Sequence, residues 1–147
     1  MYSFYARKVN NKADLLRRLH QAPPILILTN AWDVASARIF ERTGFPAIGT
    51  SSAAIAFALG YPDGQLITRQ EMLEVVARIA RSVKIPVTAD VEAGYDDPVE
   101  TACSVWVAGA VGMNLEDVVG DKLLDLAEQF EQASPWCQIA PMAAAAS

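Results

Sequence analysis

Cysteine and histidine are scarce in this chain: Cys103, Cys137 and His20 are the whole stock. Two cysteines, one in a helix-like stretch and one near the C-terminal end, build neither a disulfide framework nor a thiolate metal site. That usage fits the reducing cytoplasm. A single histidine, remote from every strand end, supports no Ser-His-Asp or Cys-His arrangement. Basic runs are missing as well. The net charge is −5 with both signs scattered, so no stretch tracks a phosphate backbone and no nucleic-acid partner is expected. Apolar runs stay strand-sized, well short of a bilayer span, so no membrane partner is expected either. Residues 1 to 12 hold three basic side chains and no apolar run, which is not the pattern of a secretory signal.

Apolar residues are plentiful, at 52% of the 147, enough for the core of one ordinary domain. Leu15, Leu16 and Leu19 form a helical stripe over residues 13 to 20, ended by Pro23 and Pro24. Ile25-Leu26-Ile27-Leu28 then reads as a strand. Asn30 or Asp33 caps a helix turning Val34, Ala37, Ile39 and Phe40 inward, and Gly44 stops it. Residues 46 to 50 read as a second strand, followed by a long loop containing Gly60, Pro62 and Gly64. Thr68 caps a helix over residues 69 to 82, with Met72, Val75, Val76 and Ile79 on one face. Residues 86 to 90 make a third strand. Pro98 opens a helix that ends near Gly109. Residues 110 to 115 make a fourth strand, and Asp121 caps a last helix to about residue 132.

Four strand-helix units thus follow an N-terminal helix. Strands that are apolar without alternation are covered on both faces, and alternation with helices implies a parallel sheet. Either an open doubly wound sheet or part of a (β/α)8 barrel satisfies the pattern. The absence of Gly-x-Gly-x-x-Gly after the first strand argues against a dinucleotide-binding Rossmann domain. Residues 133 to 147 form an atypical tail in which neither a fifth strand nor a clean helix is legible.

Polar residues gather just after each strand: Asn30 and Asp33; Thr50, Ser51 and Ser52; Asp90 and Glu92; Asn114, Glu116 and Asp117. Ligands of parallel α/β folds bind at the carboxyl ends of strands, and four such clusters in step suggest one shared site. Asp90, Glu92 and Glu116 offer hard oxygens suited to Mg²⁺, which takes few carboxylates directly and keeps several waters. The competing account is helix capping and solvated loop charge. Thr50-Ser51-Ser52-Ala53-Ala54 either lets backbone N–H groups approach an anion or is an ordinary loop with a serine cap. Locally, Asp63 is a turn residue, and Trp32 is either a pocket wall or core packing.

Asn30-Ala31-Trp32-Asp33, Ser36-Ala37-Arg38, Thr50 to Ala56, Leu59 to Gly64, Ala89 to Tyr95 and Asn114 to Asp117 resemble, in order, successive motifs of the isocitrate lyase/phosphoenolpyruvate mutase family. The likeness is greatest to its branch of small carboxylyase-like members and covers about residues 10 to 130. It implies a (β/α)8 barrel, here about four units of it, over residues 1 to 132. It implies a lyase that cleaves C–C or P–C bonds of 2-oxo or 2-hydroxy carboxylates, with Mg²⁺ or Mn²⁺ stabilising an enolate. By resemblance Asp90, Glu92 and Glu116 hold the metal, some through water, and Asp63 belongs to the same network. Ser51 and Ser52 hold the substrate carboxylate, and Trp32 walls the pocket. Ala54 stands where relatives carry glycine, the glycine expected after Tyr95 is missing, and the Lys-x-Cys-Gly-His loop of true isocitrate lyases has no match in residues 118 to 122. The chain reads as stopping after the fourth unit. The rival expectations are therefore an inactive fragment that only binds metal or self-associates through an exposed barrel edge, and a flavodoxin-like binding module.

Overall fold

The computed structural model describes residues 2–21, 23–119 and 122–123. An N-terminal helix, α1 (Tyr2–Gln21), precedes β1 (Thr29–Ala31), α2 (Val34–Arg42), β2 (Ile48–Thr50), α3 (Ser52–Leu59), α4 (Arg69–Ser82), β3 (Val87–Asp90), α5 (Pro98–Ala108) and β4 (Gly112–Asn114). Two further short strands, β5 (Val118–Val119) and β6 (Lys122–Leu123), pair antiparallel.

The four main strands are all parallel and lie in the order β1-β2-β3-β4. That order separates the two closures the pattern left open. A doubly wound sheet reverses direction at a switch point, whereas a barrel wall adds each strand beside the last.

Capping explains where the helices begin. Asp33 accepts the N–H of Ser36 at 2.7 Å and caps α2, so Asp33 rather than Asn30 is the cap. Thr68 and Glu71 form a reciprocal capping box on α4. Asp97 precedes Pro98 and accepts the N–H groups of Val99 and Glu100. Met72, Val76 and Ile79 of α4 are fully buried against the sheet, each contributing about 1.5–3 kcal/mol relative to exposure.

Several expectations are corrected. Residues 25 to 28 are not the first strand: the register on β2 begins at Thr29 opposite Ile48, and Ile25 and Ile27 are 86% and 64% exposed. Ile39 lies outward on α2 at 58% exposed. The stretch after β2 is not simply a loop, because α3 occupies its first half between the Ser51 cap and left-handed Gly60. Lys122 and Leu123 are strand, opposite Val119 and Val118, where the first turn of a helix capped by Asp121 was expected. The rest of that expected helix, and the tail from residue 133, lie outside the described residues.

The main core lies between the sheet and helices α2 to α5. A second cluster joins Val9 and Leu16 of α1 to Ala47, just ahead of β2, and Val111, just ahead of β4. Helix α1 therefore covers the N-terminal ends of the strands. Gly112 allows that approach, since a Cβ there would sit 3.0 Å from Leu16 Cδ2 and from Thr88 Oγ1. The opposite, C-terminal ends of the strands carry the polar residues.

Candidate metal and substrate site

The β3–β4 pairing sets the acidic groups side by side. Asp90 is opposite Asn114 in the ladder. Past the strands the pairing continues: Val91 N–H donates to the Asn114 carbonyl at 3.3 Å, and Glu116 N–H to the Glu92 carbonyl at 2.8 Å. Asp90, Glu92 and Glu116 thus leave two neighbouring strand ends together. Asp63 comes to them on the loop between α3 and α4.

The chemistry of the four carboxylates shows that they share a neighbourhood. Burial pushes Glu92 up to about 7; the Gln65 backbone N–H opposes that shift, and the charges of Asp63, Glu116 and Asp90 add to it. Glu116 is raised too, first by burial and then by the charges of Asp90, Asp63 and Asp117. Glu92 itself is buried, at 3% exposed, while Asp63 and Glu116 face solvent. Among the described residues, no three His, Cys, Asp or Glu side chains close on one point as a ready-made ligand cage. A hydrated Mg²⁺ needs no such cage, since it takes one or two carboxylates directly and reaches others through water. The donors are all hard oxygens, and their mutual repulsion is what a cation would relieve, so the residues fit the group.

Asp90 is held from three sides. Its Oδ2 accepts both the backbone N–H of Ser52 at 3.0 Å and the Ser52 hydroxyl at 2.7 Å. Its own N–H donates to Thr50 Oγ1 at 2.9 Å. Its Oδ1 accepts the Glu92 N–H at 3.3 Å. Ser51 accepts the Ala54 N–H at 3.3 Å and caps α3. The two serines are therefore at the site, Ser52 directly on Asp90. Trp32 is 42% exposed and lines a cavity of about 350 Å³ with Leu59, Val75 and Arg78; none of the four carboxylates lines that cavity.

Two of the groups here, Gln65 and Tyr95, were given no site role from the sequence, and Thr50 was named only as part of the polar cluster after the second strand. Thr50 supplies the acceptor for Asp90. Gln65, at φ 58°, supplies the N–H that reaches Glu92. Tyr95, at φ 61°, has a buried hydroxyl with no hydrogen-bond partner among the described residues, and burial, followed by the charges of Glu92 and Asp90, raises its pKa. Non-glycine residues at positive φ concentrate at functional sites, and Glu92 itself sits at φ 53°. Residue type alone does not announce such a conformation in Gln, Glu or Tyr.

Comparison with known proteins follows the same lines. The model of the phosphoenolpyruvate phosphomutase family matches residues 16–145. A 2-methylisocitrate lyase of Aeropyrum pernix is 31% identical over 125 residues, covering 83% of this chain and 41% of that protein. An oxaloacetate decarboxylase of Rhodopseudomonas palustris is 32% identical over 130 residues, covering 85% of this chain and 43% of that protein. The crystal structure of phosphoenolpyruvate phosphomutase from Streptomyces platensis superposes with a TM-score of 0.78 at 27% identity, over 86% of this chain and 48% of that one. The chain thus spans about half the length, or somewhat less, of these relatives. Its four parallel strands and the helices between them correspond to part of a (β/α)8 barrel. Sheet order, ordered motifs and family match agree, and the chain belongs to the phosphoenolpyruvate mutase/isocitrate lyase family.

Proposed function

We propose that this chain carries the cation-holding part of the site of a cytoplasmic lyase that cleaves C–C or P–C bonds of 2-oxo or 2-hydroxy carboxylates. The observation that supports it is the meeting of Asp90, Glu92 and Glu116 at the ends of two neighbouring strands with Asp63 on the α3–α4 loop, close enough that burial and these neighbouring charges raise Glu92 and Glu116. Asp90, Glu92 and Glu116 would hold Mg²⁺ or Mn²⁺, some through water, with Asp63 in the surrounding network. The ion, when bound, would stabilise negative charge on an enolate oxygen of the substrate. Ser51 and Ser52 bring the N-terminus of α3 to the same place, where its dipole favours the substrate carboxylate. Trp32 would wall the approach from the α2 side.

Two relatives are a 2-methylisocitrate lyase and an oxaloacetate decarboxylase, so those two compounds are the first substrates to try. The test is turnover of each with Mg²⁺ and with chelator. Metal-dependent loss of either substrate, abolished in Asp90→Ala, supports the reading. A folded chain that binds the ion and turns over neither compound rejects the lyase and leaves the rival reading.

That rival is a metal-binding, self-associating protein without turnover. The exposed Ile25 and Ile27, just ahead of β1, favour it, since β1 has an unpaired outer edge among the described residues and exposed apolar side chains near such an edge invite a second copy. Sedimentation velocity separates the states: a homo-oligomer weakened by Ile25→Lys and Ile27→Lys supports association through this edge, and a monomer at all concentrations removes it.

A further inference from the structure

The hydrogen bonds around Asp90 assign Ser52 a different task from its neighbour Ser51. Ser52 is the first residue of α3 and is 3% exposed. Its backbone N–H is one of the free donors at a helix start, and such donors need an acceptor. The acceptor is Asp90 Oδ2, and the Ser52 hydroxyl donates to the same atom. A carboxylate oxygen has two lone-pair sites, so these two donors fill Oδ2. Among the described residues, the other oxygen, Oδ1, receives only the long contact from the Glu92 N–H at 3.3 Å. Thr50 fixes the backbone of Asp90 from below at the same time.

We infer that Ser52 is a positioning residue: it saturates Oδ2 of Asp90 and turns Oδ1 outward as the single oxygen offered to a cation, and it is not the group that grips the substrate. This rests on the reading of Asp90 as a metal-holding residue. Three physical points carry it. Both Ser52 donors are already spent on Asp90. A hydroxyl at 2.7 Å from a carboxylate is a short, charge-assisted bond that is costly to give up for a substrate. Burial of Ser52 keeps it from a ligand arriving from solvent. Outer partners of this kind orient a ligating carboxylate, and losing one typically weakens metal binding about 10–100-fold.

The experiment measures Mn²⁺ binding to the full chain by electron paramagnetic resonance, with Mg²⁺ competition, for wild type, Ser52→Ala and Ser52→Thr. Ser52→Ala keeps the backbone N–H and loses the hydroxyl, and should weaken Mn²⁺ binding about tenfold. Ser52→Thr keeps the hydroxyl and should restore most of the affinity. Binding of oxaloacetate at saturating Mn²⁺ should be unchanged in both variants, as should the far-ultraviolet dichroism. Weaker oxaloacetate binding with unchanged Mn²⁺ affinity in Ser52→Ala would make Ser52 a substrate group and overturn the assignment. Equal Mn²⁺ affinity in all three proteins overturns it too. No Mn²⁺ binding by the wild type removes the metal reading itself and this assignment with it. If Ser52→Ala does not fold, Ser52→Thr and Ser52→Cys carry the comparison. The weaker thiol donor of Ser52→Cys should then lower Mn²⁺ affinity relative to Ser52→Thr, and equal affinity overturns the assignment.

Discussion

Thr50 Oγ1 accepts the backbone N–H of Asp90 at 2.9 Å. The β2–β3 register pairs Ile48 with Val87 and Gly49 with Thr88, so this side-chain bond carries the connection one step past the ladder, to the first residue of the acidic cluster. Thr50 is buried, at 1% exposed. Thr50→Val keeps the shape and removes the acceptor, leaving a backbone donor unsatisfied. The expected cost is about 1–3 kcal/mol, read by denaturant unfolding, with Thr50→Ser close to wild type. Identical midpoints for the valine variant and wild type would mean that the bond contributes nothing.

Glu92 should make the metal-free chain less stable as pH rises. Burial and three neighbouring charges raise its folded pKa from 4.5 to about 7, with the Gln65 N–H opposing. Between those values the folded chain binds more protons than the unfolded chain, so stability falls across that window and levels off on either side. The size is on the order of 3 kcal/mol for a shift of this extent. Glu92→Gln should flatten the slope. A stability that climbs from pH 4.5 to pH 7 equally in both proteins would contradict the assignment.

Divalent metal should relieve the same repulsion. Mg²⁺ or Mn²⁺ at about a hundred times its Kd should stabilise the chain by about 2.7 kcal/mol, seen as a rise in Tm. Because protons compete for Glu92, the rise should be larger above pH 7 than below it. Asp90→Ala should abolish it. A melting curve indifferent to millimolar metal at both pH values would count against a cation site here.

Lys12 ties the N-terminal helix to the rest of the fold. Its Nζ donates to the carbonyl of Val83 at 3.0 Å and to that of Ala80 at 3.4 Å, at the C-terminal end of α4. A cation there also meets the negative end of the helix dipole. Lys12→Met keeps the aliphatic stem and removes the donor. The expected loss is about 1–3 kcal/mol, with faster proteolysis within α1. Wild-type stability and cleavage rate in this variant would show that packing alone holds the helix.

Much of this was legible in the sequence because it is local. Thr68 with Glu71, and Met72, Val76 and Ile79 on a 3.6-residue repeat, specify α4 without help from the rest of the chain. Asp90, Glu92 and Glu116 stand out because acids at two successive strand ends must share one end of a parallel sheet. Other features are tertiary. Helix α3 is apolar all round, Ser-Ala-Ala-Ile-Ala-Phe-Ala-Leu, so no stripe marks it, and burial of Ile55 and Ala56 against exposure of Phe57 and Leu59 decides its face. The apolar run at residues 25 to 28 has every local mark of a strand, yet β1 starts later, because pairing with β2 sets the register. Lys12 is charged and buried, which the N-terminal stripe cannot show, since its partners lie about seventy residues away on α4. The strand order, which separates a barrel wall from a doubly wound sheet, depends on which edge each new strand joins. The commitment of Ser52 to Asp90 rather than to solvent likewise needs two segments 38 residues apart to meet. Short-range capping and periodicity are written in neighbouring residues. Register, edge choice and the partners of buried polar groups are settled only when distant segments compete for the same space.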